Sequence, residues 1–72
     1  MPASRPMPDI GTGCHELRVD DGDVTFRIVY HLGSEAIVIL EIFQKKSRTT
    51  PMLVIDAAKR RLRMYQRIVH EE

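Results

Sequence analysis

The feature that most limits what this chain can form is a dense apolar run near its centre. Residues 36–43 are apolar except for Glu41, and a run of this length suits one strand. Since both faces of such a strand are hydrophobic, it is expected to be central or covered. A basic cluster, Lys45, Lys46 and Arg48, begins two residues after Phe43. The sequence therefore predicts cationic side chains at the rim of a sheet, just before a helix.

Two further strands are predicted before this run, over residues 14–19 and residues 24–31, from side chains that alternate with a period of two. Asp20-Asp21-Gly22-Asp23 between them signals a hairpin turn, because glycine supplies the positive φ values of a tight turn. One face of the second strand is apolar and is expected to form the core: Val24, Phe26, Ile28 and Tyr30. Arg27 lies on the other face, where its truncation is expected to leave the core intact.

An amphipathic segment follows the basic cluster. Pro51 suits the first position of a helix, and Thr50 suits its N-cap. Apolar residues then recur at helical spacing, at Ile55, Ala58, Leu62, Tyr65 and Val69. The spacing predicts a helix over residues 51–70. The fold class is therefore α+β, a three-stranded antiparallel meander with one C-terminal helix packed on it.

The 72 residues make one small domain, whose core is marginal without further support. Residues 1–12 carry three prolines and are expected to form a flexible N-terminal arm, so the domain covers residues 13–72. Cys14 is the single cysteine, which fits a reducing compartment. The chain has no apolar run of membrane-spanning length and no signal-peptide core. We expect a cytoplasmic protein with no membrane contact.

Charge is strongly segregated along the sequence. Residues 44–67 hold eight cations against Asp56 alone, whereas residues 1–43 hold three cations against seven acids. A local positive field of this kind suits a polyanion such as RNA. Four of the basic side chains are predicted to bind RNA: Arg48, Arg60, Arg61 and Arg63. The alternative is that the helix arginines form an ordinary solvated face.

Arg27 is the most informative single residue. It stands in mid-strand among apolar neighbours, and Arg18 on the preceding strand is expected to lie near it across the hairpin. Two adjacent guanidinium groups repel each other unless an anion lies between them, and arginine binds phosphate in a bidentate manner. The alternative is two surface arginines paired with acids such as Glu16 or Glu41. The histidines lack metal-ligand spacing, so no metal or other cofactor is expected.

Several short segments occur in an order that resembles a known family. They are Glu16-Leu17-Arg18, Phe26-Arg27-Ile28-Val29-Tyr30, Phe43-Gln44-Lys45-Lys46 and Thr50-Pro51, followed by a helix with Arg61 and Tyr65. Together they span roughly residues 13–66. In this order and spacing the chain resembles the phage-derived, HigB-like branch of the RelE/ParE toxin superfamily.

The resemblance implies a toxin of a type II toxin–antitoxin pair, with a helix-turn-helix protein as antitoxin. RelE-like members cleave messenger RNA on the ribosome, by attack of a 2′-OH on the neighbouring phosphate. Basic residues stabilise the added negative charge of the transition state. On this resemblance the catalytic residues are Arg27, Lys45, Lys46 and Arg18.

Members usually carry a strand and a helical hairpin before the Glu-Leu-Arg segment, where this chain has residues 1–15. A truncated RelE-like fold is therefore expected. It should expose a sheet edge or apolar surface, for which a homodimer is one remedy. Two alternatives stay open beside the ribonuclease, namely a degenerate, non-catalytic interaction module of the toxin fold and a ParE-like gyrase inhibitor.

Overall fold

Four antiparallel strands and one helix make up the computed structural model, which describes residues 4–44 and 49–71. The elements are β1 (Ser4–Pro6), β2 (Cys14–Asp21), β3 (Val24–Leu32), β4 (Ile37–Gln44) and α1 (Met52–Glu71). Sheet order follows chain order, β1-β2-β3-β4, and every neighbouring pair is antiparallel. The predicted α+β class is confirmed, but the predicted number of strands is too small by one.

The additional strand comes from the segment that was expected to be a flexible arm. Ser4 pairs with Leu17 of β2, and the Met7 N–H donates to the Cys14 carbonyl at 2.8 Å. Met7 and Ile10 are buried in the core. β1 has three residues, one of them proline, which is too short a segment to show a strand alternation in the sequence. Proline is tolerated here because β1 is an edge strand. The domain boundary at residue 12 itself stays a prediction.

The predicted hairpin joins β2 to β3. Asp21 pairs with Val24, which leaves Gly22 and Asp23 as a two-residue turn. Gly22 has a φ of 61°, a value that glycine adopts without steric cost. The register of this hairpin sets Arg18 directly opposite Arg27, so the predicted neighbourhood of the two arginines is confirmed at the level of the backbone.

β4 is an edge strand and contains a bulge. Val29 pairs with Glu41 and Tyr30 pairs with Ile39, so Leu40 has no partner residue in β3. One extra residue reverses the alternation of side chains along a strand. The prediction of a central or covered strand is wrong, because the described part of the chain supplies one helix and that helix covers one face.

The two faces of the sheet are very different. On the side of α1, here called the covered face, the buried side chains are Cys14, Glu16, Arg27, Val29 and Leu40. On the other side, here called the open face, lie Leu17, Val19, Phe26, Ile28, Tyr30, Ile37, Ile39 and Ile42. The face that was expected to be the core is thus the open one. Arg27 lies instead on the covered face, where its neighbour Val29 is fully buried.

The helix packs on β4 through small and branched side chains. Ala58 and Leu62 are buried against the sheet and join the core cluster with Leu40. The helix begins at Met52, one residue after the predicted start, and its first turn closes on the Pro51 carbonyl. Among the described residues, no helix combines the length and the apolar character needed to cross a membrane.

Candidate functional site

Three strands bring arginines to one pocket on the covered face. The pocket has a volume of about 210 Å³ and is lined by Ser4, Arg5, Glu16, Arg18 and Arg27. We call it the arginine pocket. β1 contributes its first two residues, β2 the glutamate and one arginine, and β3 the remaining arginine. Two of the guanidinium groups, those of Arg5 and Arg27, contact the Glu16 carboxylate, and that of Arg18 pairs with Asp20, so the three cations exceed the two acids by one positive charge.

Glu16 is the centre of this arrangement. Its side chain is 1% exposed, and a buried carboxylate needs partners for both oxygens. Arg27 donates to Oε1 from Nη1, and the Arg5 guanidinium lies 3.3 Å from the same oxygen. The Thr50 hydroxyl donates to Oε2 at 2.8 Å. Glu16 thus links β1, β2, β3 and Thr50, which lies two residues before α1.

These partners decide the charge of Glu16. Burial alone would raise the pKa of its carboxyl, but the hydrogen bonds from Arg27 and Thr50 oppose that effect, as do the charges of Arg27 and Arg5. The net result is a pKa below the ordinary glutamate value. Glu16 is therefore ionised at neutral pH, so it is unsuited to act as a general acid and instead holds Arg27 in place.

We expect acid to destabilise the fold through Glu16. A carboxyl whose pKa is lower in the folded state stabilises the protein above the pKa of the unfolded chain, and this contribution is lost as the pH falls through the folded pKa. Carbon-13 NMR of the Glu16 carboxyl in the wild-type protein should show a midpoint below the ordinary glutamate value. Urea unfolding at several pH values should show stability falling over the same range. A midpoint at or above the ordinary value would contradict this account.

The three arginines differ in how firmly they are held. Arg27 is 8% exposed, and its buried Nε donates to no acceptor within residues 4–44 and 49–71. The Arg18 side chain is half exposed and pairs with Asp20 at 3.2 Å, and the Arg5 side chain is also half exposed. The alternative in which Arg27 pairs with Glu16 is thus the one observed, but the pair is buried rather than on the surface. Arg27 is a fixed donor, whereas Arg5 and Arg18 face solvent.

The structure places the other predicted site residues in three groups. Lys45, Lys46 and Arg48 lie outside the described residues. Arg60 and Arg63 are exposed on α1. Arg61 is also exposed, but it donates to the Leu40 carbonyl at 2.6 Å and lies 3.1 Å from Glu41. It therefore lies at the β4 edge of the sheet, away from the arginine pocket on β1–β3.

His31, the one histidine on β3, is not part of the pocket. It lies four residues beyond Arg27 along β3, a distance of about 13 Å in an extended strand. Its Nδ1 is 3.7 Å from the Cys14 sulfur, and its ring meets Tyr65 edge-on. Burial raises the pKa of the Cys14 thiol. This contact is therefore a packed, protonated thiol beside a histidine rather than a pair with an activated nucleophile.

Sequence reasoning missed two members of the site, Arg5 and Thr50, and named Glu16 only as one possible surface partner of the arginines. Arg5 belongs to the segment that was expected to be an arm, and nothing local marks it. Thr50 was expected to cap the helix, but its hydroxyl donates to Glu16. Glu16 itself carried a usable signal, because it shares a strand face with Arg18 at a spacing of two residues.

A family model with the description "Phage derived protein Gp49-like (DUF891)" matches residues 1–63 of the chain, which include every lining residue of the arginine pocket. No curated protein and no solved structure gives a significant match.

Proposed function

Because this chain belongs to the Gp49-like family of phage-derived proteins, which is associated with toxins of the RelE/HigB type, we propose that it is the toxin of a type II toxin–antitoxin pair. Its activity is ribosome-dependent cleavage of messenger RNA at the arginine pocket, and a helix-turn-helix antitoxin neutralises it. The observation that carries this proposal is the convergence of Arg5, Arg18 and Arg27 on one pocket.

Charge balance supports phosphodiester chemistry at this pocket. A bound phosphodiester carries one negative charge, and the phosphorane-like transition state carries about one more. The net positive charge of the pocket therefore favours the transition state over the bound substrate, which is the condition for catalysis. Arg27 is largely buried, and in such a setting an electrostatic interaction is stronger than in water.

In the proposed reaction the 2′-oxygen forms a bond to phosphorus and the 5′-oxygen leaves, which gives a cyclic phosphate and a 5′-OH end. The 2′-OH loses a proton and the leaving oxygen gains one. Arg27, held by Glu16, and Arg18 stabilise the phosphoryl oxygens. Glu16 is already ionised and engaged, so we assign the proton transfers to Lys45 or Lys46, in keeping with the family resemblance.

A second candidate function rests on a different observation. The open face is a large apolar surface, and such surfaces mark contact sites. This favours a non-catalytic interaction module in which the Arg27–Glu16 pair is only structural. The two candidates are separated by whether the purified protein cleaves RNA and whether cleavage depends on Arg18, a half-exposed arginine of the pocket.

We expect wild-type protein to cleave ribosome-bound messenger RNA, and Arg18→Ala to reduce the cleavage rate by about tenfold. Loss of one solvent-screened donor costs about 1.4 kcal/mol of transition-state stabilisation. The measurement is primer extension on a translated messenger, with RNA ends mapped over time. Arg67→Ala is the matched control, because Arg67 is an exposed helix arginine outside the pocket.

Thermal melts should show the same stability for both variants as for wild type. Equal cleavage by wild type and Arg18→Ala would remove this arginine from the mechanism. No cleavage by wild-type protein on translating ribosomes would favour the interaction module.

A further inference from the structure

The open face presents an unusual amount of apolar surface for so small a chain. Its most exposed side chains are Ile37, Ile42 and Ile39, which are 66%, 57% and 53% exposed. Val19 and Phe26 are each 37% exposed, and three half-buried residues lie among them: Leu17, Ile28 and Tyr30. Together they expose on the order of 500 Å² of apolar area, which is near the upper limit for a monomeric protein.

The size of this surface fits a protein dimer. A stable interface buries about 800 Å² on each partner, and about 65% of a homodimer interface is apolar. An apolar patch on the order of 500 Å² with a modest polar rim therefore matches one side of a standard dimer interface.

The chemistry of the face favours a protein over a nucleic acid as its occupant. None of the eight side chains named above is charged, whereas affinity for nucleic acid comes largely from lysine and arginine. The arginines of the pocket lie on the covered face, on the other side of the sheet. Whatever occupies the open face therefore leaves the arginine pocket accessible.

The neighbouring edge of the sheet is already occupied by side chains. On β4, the outermost strand, Arg61 donates to the Leu40 carbonyl, and the Ile42 N–H donates to Glu41 Oε1 at 3.2 Å. Arg61 and Glu41 are themselves an ion pair. A strand that adds to this edge must first displace these bonds, and charged side chains are a common way to block such pairing. A partner is thus directed to the face rather than to the edge.

From these observations we infer that the open face is the interface with a second copy of this chain. Two sheets pack with their apolar faces together about 10 Å apart, as in a β-sandwich. The arrangement buries Ile39 and Ile42 of both copies and turns the two arginine pockets outward. This inference is independent of the cleavage activity, since it concerns the opposite face.

Sedimentation velocity from about 1 to about 300 µM tests the inference, a range that covers micromolar dissociation constants. Wild-type protein should pass from monomer to dimer within it. Ile42→Glu places a charge in the interface and should raise the dissociation constant by on the order of a hundredfold. Leu53→Glu is the matched control, because Leu53 is 84% exposed on α1 and away from the open face. It should dimerise like wild type.

Two measurements on the wild-type protein keep the test valid if Ile42→Glu fails to fold. The melting temperature should rise with protein concentration, because association stabilises the folded state. Amide chemical shifts should change with concentration on β3 and β4 rather than on α1. A wild-type monomer at about 300 µM would overturn the inference. So would a dimer that Leu53→Glu disrupts and Ile42→Glu does not.

Discussion

Glu16→Gln should lower the free energy of unfolding by about 3–5 kcal/mol, because it leaves Arg27 buried beside a neutral partner. Glu16 is 1% exposed and Arg27 is 10% exposed at the side chain, so water replaces little of the lost interaction. Urea unfolding monitored by circular dichroism measures the change. A loss of this size is a large part of the whole free energy of unfolding of a small domain. We therefore expect a large fraction of the variant to be unfolded at about 37 °C.

The matched control is Asp20→Asn. Asp20 forms an ion pair with Arg18, but both side chains are at least half exposed, and such pairs contribute about 0–1 kcal/mol. The double variant Glu16→Leu/Arg27→Met should recover most of the lost stability, since apolar residues often replace a buried ion pair without loss. A loss below about 1 kcal/mol for Glu16→Gln would show that the pair is effectively solvated.

Arg27→Lys should reduce messenger cleavage by about a hundredfold or more while the protein stays folded. Lysine keeps the positive charge next to Glu16 but loses the planar guanidinium and its fixed array of donors. Removal of one preorganised donor to a developing oxyanion costs about 3 kcal/mol in activation free energy. Single-turnover cleavage of ribosome-bound messenger is the measurement, at a temperature where melts show both proteins folded.

Arg67→Lys, the same change on an exposed helix arginine, should leave cleavage unchanged. Arg27→Ala is the less useful variant, because Arg27 is buried on the covered face. The sequence suggested that this truncation would leave the fold intact, but it would leave the Glu16 carboxylate without its main partner. Cleavage by folded Arg27→Lys at the wild-type rate would mean that Arg27 acts only through its charge.

Local patterns predicted most of the secondary structure. The proline at 51 and the apolar spacing after it predicted the helix to within one residue at each end. The glycine at 22 predicted the turn of the β2–β3 hairpin. The meander and the helix followed from these signals, because short connections between strands leave few topologies. β1 was not predicted, since its pairing with β2 depends on contacts between residues that are distant in sequence.

The faces of the sheet could not be assigned from the same patterns. β3 carries apolar side chains on both sides, and alternation does not say which side a helix will cover. The more apolar set, which includes Phe26 and Ile28, is left open, and Val29 is fully buried with Arg27 beside it. The sequence therefore predicted the wrong environment for Glu16 and Arg27. They were expected on an exposed face, but the helix covers that face and buries the pair.

The bulge in β4 also has a consequence for how uniquely this sequence encodes its strand pairing. If β4 slipped by one residue, Val38 and Leu40 would exchange faces with Ile37 and Ile39, and the core would lose almost no hydrophobicity. The apolar side chains thus barely distinguish the two alignments. The ion pair from Glu41 to the helix does distinguish them, because slippage would separate the two charges. In the most hydrophobic segment of the chain, a partly exposed ion pair worth about 0–1 kcal/mol thus favours the observed alignment.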